Sequence, residues 1–455
     1  MKLPIRPPSL SEELSKLLRR PGGGQRLQEL TALSLGPAPG GKYRHWDTFR
    51  HSPPRSEFSA EEQWLAVKLS RSGLYQTLPL KDANGVAFRY ALPNVALQML
   101  HEVDRYASGN IQAPDQVTNL ATRDTYLFKS IVEEAITSSQ LEGASTTRKV
   151  AKAMIQEGRE PRNRGEQMIL NNYQGMRRVL QFVDRPLTPT LVIELQRILT
   201  EDTLDDEDGA GRLRRADEDI VIEDNETGVR LHTPPPADQL EQRMRAMCDF
   251  ANGVGSNEFM PPAVRAILLH LWLAYDHPFV DGNGRTARAL FYWSMARQGY
   301  WLCEYVSISR ILKKARGQYA RAYLYTETDE YDATYFILYQ LRVLLRAIQD
   351  LHHYLARKST ELHQAEELVR RASAEHSDLN HRQLALINHA LRTPTARYTI
   401  ASHRRSHGVT YETARTDLMK LADDGLLERR RAGRTFVYMP RHDLRERLTK
   451  PRRAR

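Results

Sequence analysis

The residues best suited to chemistry lie together in one short stretch, residues 277–288, which reads HPFVDGNGRTAR. His277 could accept a proton from a substrate, and Asp281 offers a hard oxygen ligand that suits a Mg²⁺ carried by a nucleotide. Arg285 and Arg288 lie three positions apart on one helical turn, where both can reach the same anion. A base, a metal carboxylate and two arginines indicate phosphoryl or nucleotidyl transfer.

Two helices must flank this stretch to position its side chains. Apolar residues recur at helical spacing over residues 264–275, and the next proline ends that helix with His277 in its last turn. Gly282 and Gly284 allow a sharp turn and a close approach to a ligand, before a second apolar helix over residues 285–298. The N-terminus of this second helix attracts anions, above all phosphate. A lone His-Pro or Gly-Asn-Gly would more often be a helix end or a turn, but here both occur in one constrained stretch.

Residues 277–288 also match the HPFx(D/E)GNGRxxR signature without departure, so the chain resembles the Fic (fido) family. The resemblance implies an all-helical fold and transfer of AMP from ATP to a Ser, Thr or Tyr hydroxyl of a target protein. It implies that His277 deprotonates the hydroxyl, that Asp281 holds Mg²⁺ and that both arginines neutralise the β- and γ-phosphates. The Asn283 side chain would steady the α-phosphate. The implied ATP-binding residues of the motif are Asp281, Gly282, Asn283, Gly284, Arg285, Thr286, Ala287 and Arg288.

A second motif lies at the end of an earlier predicted helix, residues 125–141. Gly143 suits the position after a helix C-terminus, where the helix dipole disfavours the charge of Glu142 unless a cation meets it. On its own, such a glutamate is usually a solvated surface residue. The pattern Ser138-x-x-x-Glu142-Gly143 resembles the (S/T)xxxE(G/N) inhibitory motif of Fic proteins. The resemblance implies that Glu142 pairs with Arg288 and occupies the place of the γ-phosphate.

Branched residues on both sides of an Asn/Gly-rich turn predict a β-hairpin over residues 220–232. A plain surface hairpin is one interpretation. The resemblance implies instead a flap that holds a target segment beside the active site by strand addition, with Leu231 and His232 at the nucleotide. The segment Gly211-x-Leu213-Arg214 just before the hairpin also resembles the family.

Tyrosines recur after the motif helix, over residues 316–325. By rough register with the Fic family, Tyr319 and Thr326 would lie near the nucleotide. Tyrosines at helical spacing more often pack in a core, so both interpretations stand.

The last part of the chain has the pattern of a nucleic-acid-binding module. Helices are predicted over residues 382–391, 398–406 and 411–424, followed by a basic β-hairpin, in the order of a winged helix-turn-helix. This pattern resembles the winged helix often fused to Fic domains. The candidate DNA contacts are Tyr411, Arg415, Thr416, Arg429 and Arg434. Protein docking is the alternative, because winged helices also serve that role.

These patterns predict a mainly α fold, with a Fic helical domain, a β-hairpin flap and a C-terminal winged helix-turn-helix. The predicted segments are a flexible, linker-like N-terminus (1–42), an accessory region (43–120), the Fic domain with its inhibitory helix (121–335), a helical connector (336–375), and the winged helix-turn-helix with its basic tail (376–455). Loop or linker is predicted for the first segment because it is rich in Pro and Gly, with one short amphipathic piece near residues 10–18.

Composition narrows the class of protein. The 455 residues carry a net charge of +10, which is compatible with an anionic partner without establishing one. Two cysteines make no disulfide framework, and no apolar run is long enough to cross a bilayer. The N-terminus lacks the apolar core of a signal peptide, so a cytoplasmic protein without a membrane partner is expected. A homodimer stays open.

The sequence therefore predicts a protein adenylyltransferase (AMPylation) that Glu142 autoinhibits, with ATP as substrate and Mg²⁺ as cofactor. One alternative is de-AMPylation by the same site, with Glu142 positioning water. The other is a nucleotide-sensing, DNA-binding regulator, against which the intact His277 argues because a purely binding site needs no base.

Overall fold

A computed structural model describes residues 2–52, 57–107, 120–218, 220–224, 227–255, 258–375, 379–432 and 435–449 of the chain. The chain divides into two compact units, Met1–Leu351 and His352–Arg455. Most of the described residues are helical, and the strands among them form two-stranded antiparallel hairpins. The prediction of a mainly α fold is confirmed. No helix in the described ranges is long and apolar enough to cross a membrane.

The α-helices of the first unit are α1 (Leu10–Arg19), α2 (Gly23–Ala32), α3 (Trp46–Phe49), α4 (Ala60–Ser72), α5 (Asn94–Ala107), α6 (Leu120–Leu141), α7 (Arg148–Glu157), α8 (Arg164–Gln181), α9 (Pro189–Thr200), α10 (Leu240–Asn252), α11 (Pro262–Asp276), α12 (Asn283–Arg297), α13 (Ile308–Lys314) and α14 (Arg316–Thr328). Its short 3-10 helices span Pro39–Gly41, Glu207–Gly209, Ala237–Gln239 and Trp301–Tyr305. Its hairpins pair β1 (Gln76–Lys81) with β2 (Ala87–Tyr90), and β3 (Ile222–Glu223) with β4 (Arg230–His232). The hairpin of β3 and β4 was predicted, although its strands are shorter than expected.

The division between the units falls within the long helix α15 (Thr334–Glu375). The later elements are α16 (His381–Arg392), α17 (Ile400–His407), α18 (Tyr411–Asp423), β5 (Leu427–Ala432), β6 (Thr435–Pro440) and α19 (Leu444–Thr449). The predicted order of three helices and a β-hairpin is therefore present in the second unit. Its apolar core includes Ile387 of α16, Leu418 and Leu421 of α18, and Tyr438 of β6.

Helices α11 and α12 lie at the centre of the first unit. Almost every residue of both helices is buried, among them Leu268, Leu271 and Leu290. A helix that is covered on all sides belongs in a core, and burial of both helices fixes the two ends of the loop that joins them, residues 277–282. The motif loop is thus held at both ends by buried helices.

Helix α6 is fixed against the centre by a buried carboxylate. Glu134 is 2% exposed and accepts hydrogen bonds from the Tyr292 hydroxyl (3.0 Å), the Ser307 hydroxyl (2.8 Å) and the Ser309 amide (3.1 Å). Buried charges persist only where hydrogen bonds replace their lost hydration, so these donors define the register of α6 against α12 and α13. An apolar cluster holds the same helix against α7 and α8.

Much of the N-terminal segment that was predicted as loop or linker is helical, and α1 coincides with the amphipathic piece expected near residues 10–18. Helices α1 and α2 occupy much of this segment, and Leu17 and Leu30 are buried together with Phe58 and Leu65. Leucines at helical spacing can bury an apolar face here, and this outweighs the Pro- and Gly-rich composition between and after the two helices. The segment is packed rather than linker-like.

Candidate active site

His277 lies directly after the last residue of α11. Its backbone is left-handed (φ 45°, ψ 55°), its amide donates to the Leu273 carbonyl (3.0 Å), and its Nδ1 lies 3.3 Å from the Ala274 carbonyl. Because a carbonyl only accepts, this contact favours the tautomer with the proton on Nδ1 and a free lone pair on Nε2. Burial lowers the pKa of His277 to about 4, so the ring is neutral at neutral pH and able to take a proton.

The motif loop is closed by its own asparagine. The Asn283 side chain accepts from the Phe279 amide (3.0 Å) and donates to the Phe279 carbonyl (2.7 Å), and the residue is 2% exposed. This arrangement differs from the prediction that Asn283 steadies a phosphate, because its amide group is already used within the loop. Gly282 has a φ of 84°, and a Cβ there would lie 2.7 Å from the Thr200 methyl group, so only glycine fits.

The first turn of α12 offers an anion site. The helix starts at Asn283 after Gly282, which provides no side-chain cap, and the first amides of a helix have no acceptor within the helix. Thr286 is different: its amide donates to the Gly282 carbonyl, and both Thr286 and Ala287 are fully buried. The side chains of these two residues therefore lie in the core, and their contact with ATP stays a prediction.

The two arginines of the motif have different surroundings. Arg288 is 2% exposed; its Nε donates to the Ser138 hydroxyl (2.8 Å), and its Nη2 donates to the Ser138 carbonyl (3.1 Å) and the Glu142 carboxylate (2.8 Å). Arg285 instead donates to the Leu199 carbonyl and to Asp281 Oδ2 (3.0 Å). The two guanidinium groups do not converge on one anion as predicted, because Arg285 is turned toward the end of α9.

Glu142 reaches the anion site from the end of α6. Its carboxylate pairs with Arg288, and a Cβ on Gly284 would lie only 2.2 Å from Glu142 Oε1, so the carboxylate rests on the first turn of α12. Gly143 follows with a φ of 99°, which ends the helix as its sequence indicates. The Glu142 side chain is 31% exposed, and water can therefore reach this ion pair from one side.

Asp281 is placed where it could take part in holding a metal ion. Its side chain is 38% exposed, with Oδ2 on Arg285 and Oδ1 accepting from the Gly282 amide (2.5 Å). Among the described residues, no group of three or more His, Cys, Asp and Glu side chains is arranged to hold a metal ion. A single accessible carboxylate fits a Mg²⁺ whose other ligands are phosphate oxygens and water.

The hairpin residues expected at the nucleotide are placed differently. His232 is 9% exposed, with Nδ1 2.9 Å from Glu327 Oε2 and Nε2 2.7 Å from the Tyr275 carbonyl. Both ring nitrogens are thus used within the protein, and contact between this residue and ATP stays a prediction. Leu231, the residue before it on β4, is partly buried.

Tyr319 belongs to a polar cluster behind Arg288. Its hydroxyl lies 2.7 Å from His270 Nε2 and 3.0 Å from the Tyr323 hydroxyl. Burial raises the pKa of Tyr319, and the neighbouring positive charge of Arg288 opposes that shift. Thr326 is fully buried and its hydroxyl donates to the Ala322 carbonyl, so its side chain is not at a ligand surface.

Two supporting residues were not identified from the sequence as parts of the site. Gln196 on α9 is fully buried; its amide nitrogen donates to the Asp281 carbonyl (3.1 Å) and its oxygen accepts from the Gly211 amide (2.7 Å). Arg214 donates from Nε to the His277 carbonyl (2.9 Å) and from its amide to the Pro278 carbonyl (2.9 Å). For Gln196, the sequence signal was a polar residue on the apolar face of α9, because a buried polar group needs hydrogen-bond partners.

The candidate DNA contacts all belong to the second unit. Tyr411, Arg415 and Thr416 are exposed on α18, where Arg415 pairs with Glu412 (2.7 Å), and the guanidinium of the exposed Arg429 lies over the Phe436 ring (4.7 Å). Arg434 lies outside the described residues. The packing of this unit centres on buried Asp417, which accepts from Arg382 (2.8 Å) and Asn380 (2.7 Å).

Residues 186–295 match the model of the Fic/DOC family. The protein adenylyltransferase Fic of Nematostella vectensis is 42% identical over 72 residues, which is 16% of this chain and 17% of that protein. The protein adenylyltransferase Fic of Drosophila mojavensis is 33% identical over 135 residues, or 29% of this chain and 25% of that protein. The chain thus spans between about a sixth and a quarter of the length of these curated relatives.

Two solved structures are similar to the chain at low sequence identity. A Fic family protein from Desulfovibrio desulfuricans G20 is 18% identical, with a TM-score of 0.47 over 75% of this chain and 94% of that chain. Fic-1 from C. elegans is 18% identical, with a TM-score of 0.47 over 77% of this chain and 97% of that chain. Residues 186–295 are thus similar to the Fic/DOC family, shorter stretches of the chain are similar to protein adenylyltransferases Fic, and the described residues have a mainly helical fold with small hairpins.

Proposed function

We propose that the chain transfers AMP from ATP to a hydroxyl side chain of a target protein, and that Glu142 holds the site in an inhibited state. The observation that carries this proposal is the Glu142 carboxylate, which rests on Gly284 and pairs with buried Arg288 at the N-terminus of α12. This is a position for an anion, and a carboxylate of the chain already takes it. A terminal phosphate of ATP has the charge and the oxygen acceptors to replace it.

His277 is the proposed base. Its neutral ring takes the proton of the target hydroxyl while that oxygen forms a bond to the α-phosphorus. The bond from the α-phosphorus to the oxygen that bridges it to the β-phosphorus breaks, and pyrophosphate leaves with both electrons of that bond. The left-handed backbone at His277, together with burial of the helix before it, holds the ring at the start of the motif loop.

The remaining groups neutralise charge. The first amides of α12 and the guanidinium of Arg288 stabilise the negative charge of the phosphates, and they are fixed before the substrate arrives. Asp281 would help to hold Mg²⁺, which when bound offsets phosphate charge. Arg285 donates to the Asp281 carboxylate and Gln196 donates to the Asp281 backbone carbonyl, and both bonds orient this residue.

The test uses the Glu142→Gly variant together with ATP, Mg²⁺ and proteins of a cell lysate. We expect mass spectrometry to find AMP on Ser, Thr or Tyr residues, and the matched Glu142→Gly/His277→Asn variant to yield none. Removal of AMP is the alternative outcome: the parent chain would then strip AMP from modified proteins, and Glu142→Gly would lose that activity. If no variant transfers AMP and none removes it, the proposal is refuted.

For the second unit we propose DNA binding, because Tyr411, Arg415 and Thr416 are exposed together on α18. Each phosphate that a basic residue neutralises releases counterions, so affinity should fall steeply as salt rises. Fluorescence anisotropy with duplex DNA measures this, with Arg415→Ala and Arg429→Ala reducing the salt dependence. No binding at low salt would favour protein docking instead.

A further inference from the structure

The side chain of His232 connects three elements of the first unit. It lies on β4, its Nδ1 meets Glu327 near the end of α14 (2.9 Å), and its Nε2 meets the carbonyl of Tyr275 in the last turn of α11 (2.7 Å). Its ring also packs on the Tyr275 ring, with centroids 4.7 Å apart. The hairpin is thereby attached to the helix end that carries His277.

The Tyr275 carbonyl is one of several that leave α11 without a partner inside the helix. The last four carbonyls of a helix need other donors. Here His232 supplies one for Tyr275, and the carbonyls of His277 and Pro278, in the loop that follows, accept from Arg214. Side chains from outside α11 therefore define the path of the chain through the left-handed residue His277.

The contacts of His232 also specify its charge. The Tyr275 carbonyl can only accept, so Nε2 carries a proton, and Nδ1 lies within hydrogen-bond distance of the Glu327 carboxylate. Burial alone would lower the pKa of His232, but the hydrogen bond and charge of Glu327, the Tyr275 carbonyl and the charge of Asp276 raise it overall. The surroundings of His232 thus favour its imidazolium form, although only 9% of the residue is exposed.

We propose that His232 is a positioning residue for the base: its imidazolium fixes the exit of α11 by donating to the Tyr275 carbonyl, and it disfavours a second positive charge on His277. The proposal rests on the proposed function of His277. The charged groups near that ring act in both directions, since His232 and Arg214 favour its neutral form and Glu142 favours its protonated form.

Three variants in the Glu142→Gly background separate the donor from the charge. His232→Ala removes both. His232→Gln keeps an N–H that can reach the Tyr275 carbonyl but carries no charge, and Glu327→Gln keeps the imidazole donor while removing its counter-ion. The readouts are the maximal rate of self-modification by ATP, the ATP concentration at half that rate, and the ring pKa values of His232 and His277 from NMR of labelled histidine.

We expect His232→Ala to lower the maximal rate on the order of ten- to a hundredfold at an unchanged half-saturating ATP concentration, because a displaced base weakens catalysis and not binding. His232→Gln should restore most of the rate while the pKa of His277 rises, and Glu327→Gln should lower the pKa of His232. A folded His232→Ala protein with the parent rate would overturn the proposal.

If His232→Ala does not fold, the other two variants decide. An unmoved His277 pKa in His232→Gln, or a His232 ring in the parent that is neutral at pH 6, would contradict the proposal. Failure of the proposed function has a different signature: no variant, the parent included, would acquire AMP, while the two ring titrations would still report on the contact between the hairpin and α11.

Discussion

The two sides of the candidate site differ in how their polar groups are used. On the loop side, Asn283 is bonded to Phe279 and Gln196 to Asp281, both of them at most 2% exposed. On the side of α6, the Glu142–Arg288 pair joins two separate elements, and nearly a third of the Glu142 side chain meets solvent. One side is closed by internal bonds, whereas the other is held by a contact that a ligand could replace.

This difference separates positioning from regulation. The bonds of the loop side are buried and have no competitor in water, so they fix the base and the helix N-terminus. The ion pair of the α6 side is partly screened by water and is made with an anion-binding group. We therefore expect substitutions on the loop side to lower activity or stability, whereas substitutions of Glu142 should raise activity.

The largest effect is expected at His277. Asparagine tolerates a left-handed backbone, so His277→Asn should fold and still bind nucleotide while losing the proton acceptor. We expect transfer in the Glu142→Gly background to fall on the order of 10²–10⁴-fold, measured with labelled ATP. Transfer at the parent rate would remove His277 from the mechanism.

The second-largest effect on transfer is expected at the Glu142–Arg288 pair. Charge-assisted hydrogen bonds contribute about 1.5–3 kcal/mol, and partial exposure of Glu142 places this pair at the lower end, so transfer should rise about tenfold in Glu142→Gly. Glu142→Gln, which keeps the shape and an acceptor but loses the charge, should give a smaller rise. Arg288→Ala should lower transfer even in the Glu142→Gly background. Equal activity of parent and both Glu142 variants would make Glu142 a surface residue only.

A smaller effect, on stability, is expected on the closed side. Asn283→Ala leaves the buried amide and carbonyl of Phe279 without their partners, which costs about 1–3 kcal/mol of unfolding free energy. Urea titration measures this, with Gln28→Ala on the exposed face of α2 as control, expected within about 0.5 kcal/mol of the parent. A similarly small change for Asn283→Ala would mean that the loop is held by other contacts.

The smallest effect concerns pH. Burial lowers the pKa of His277 from 6.5 to about 4, so transfer should persist through pH 6 and decline only as the pH approaches that lower value. The neutral ring contributes stability that is fully present above its unfolded pKa and is lost as the pH falls through about 4. His277→Asn should show a weaker dependence of unfolding free energy on pH below 6.5. An acid limb of the rate near pH 6.5 would contradict the burial of the ring.

The helices around the site follow from the sequence because their apolar spacing and end signals are local. The end of α6 at Gly143 and the loop after α11 are examples, and the Glu142–Arg288 contact that the family resemblance implies is present in the structure. Helix α2 was missed, and α1 was expected only as a short amphipathic piece, because Pro and Gly between and beside them indicate loop, whereas their leucines become buried only through contact with α4.

The direction of long polar side chains could not be predicted. Asn283, Arg285 and His232 were expected to face the nucleotide, but each finds partners on other parts of the fold: Phe279, the end of α9, and the end of α11. These partners are brought close by tertiary packing, and spacing along the chain does not encode them. A motif therefore specified where the site lies better than what each of its side chains contacts.

The most direct test of the central claim compares two labelled forms of ATP on the Glu142→Gly chain. We predict that label in the α-phosphate becomes protein-bound, that label in the γ-phosphate does not, and that both stay free with Glu142→Gly/His277→Asn. Protein-bound γ-label, or no bound label of either kind, would contradict AMP transfer at this site.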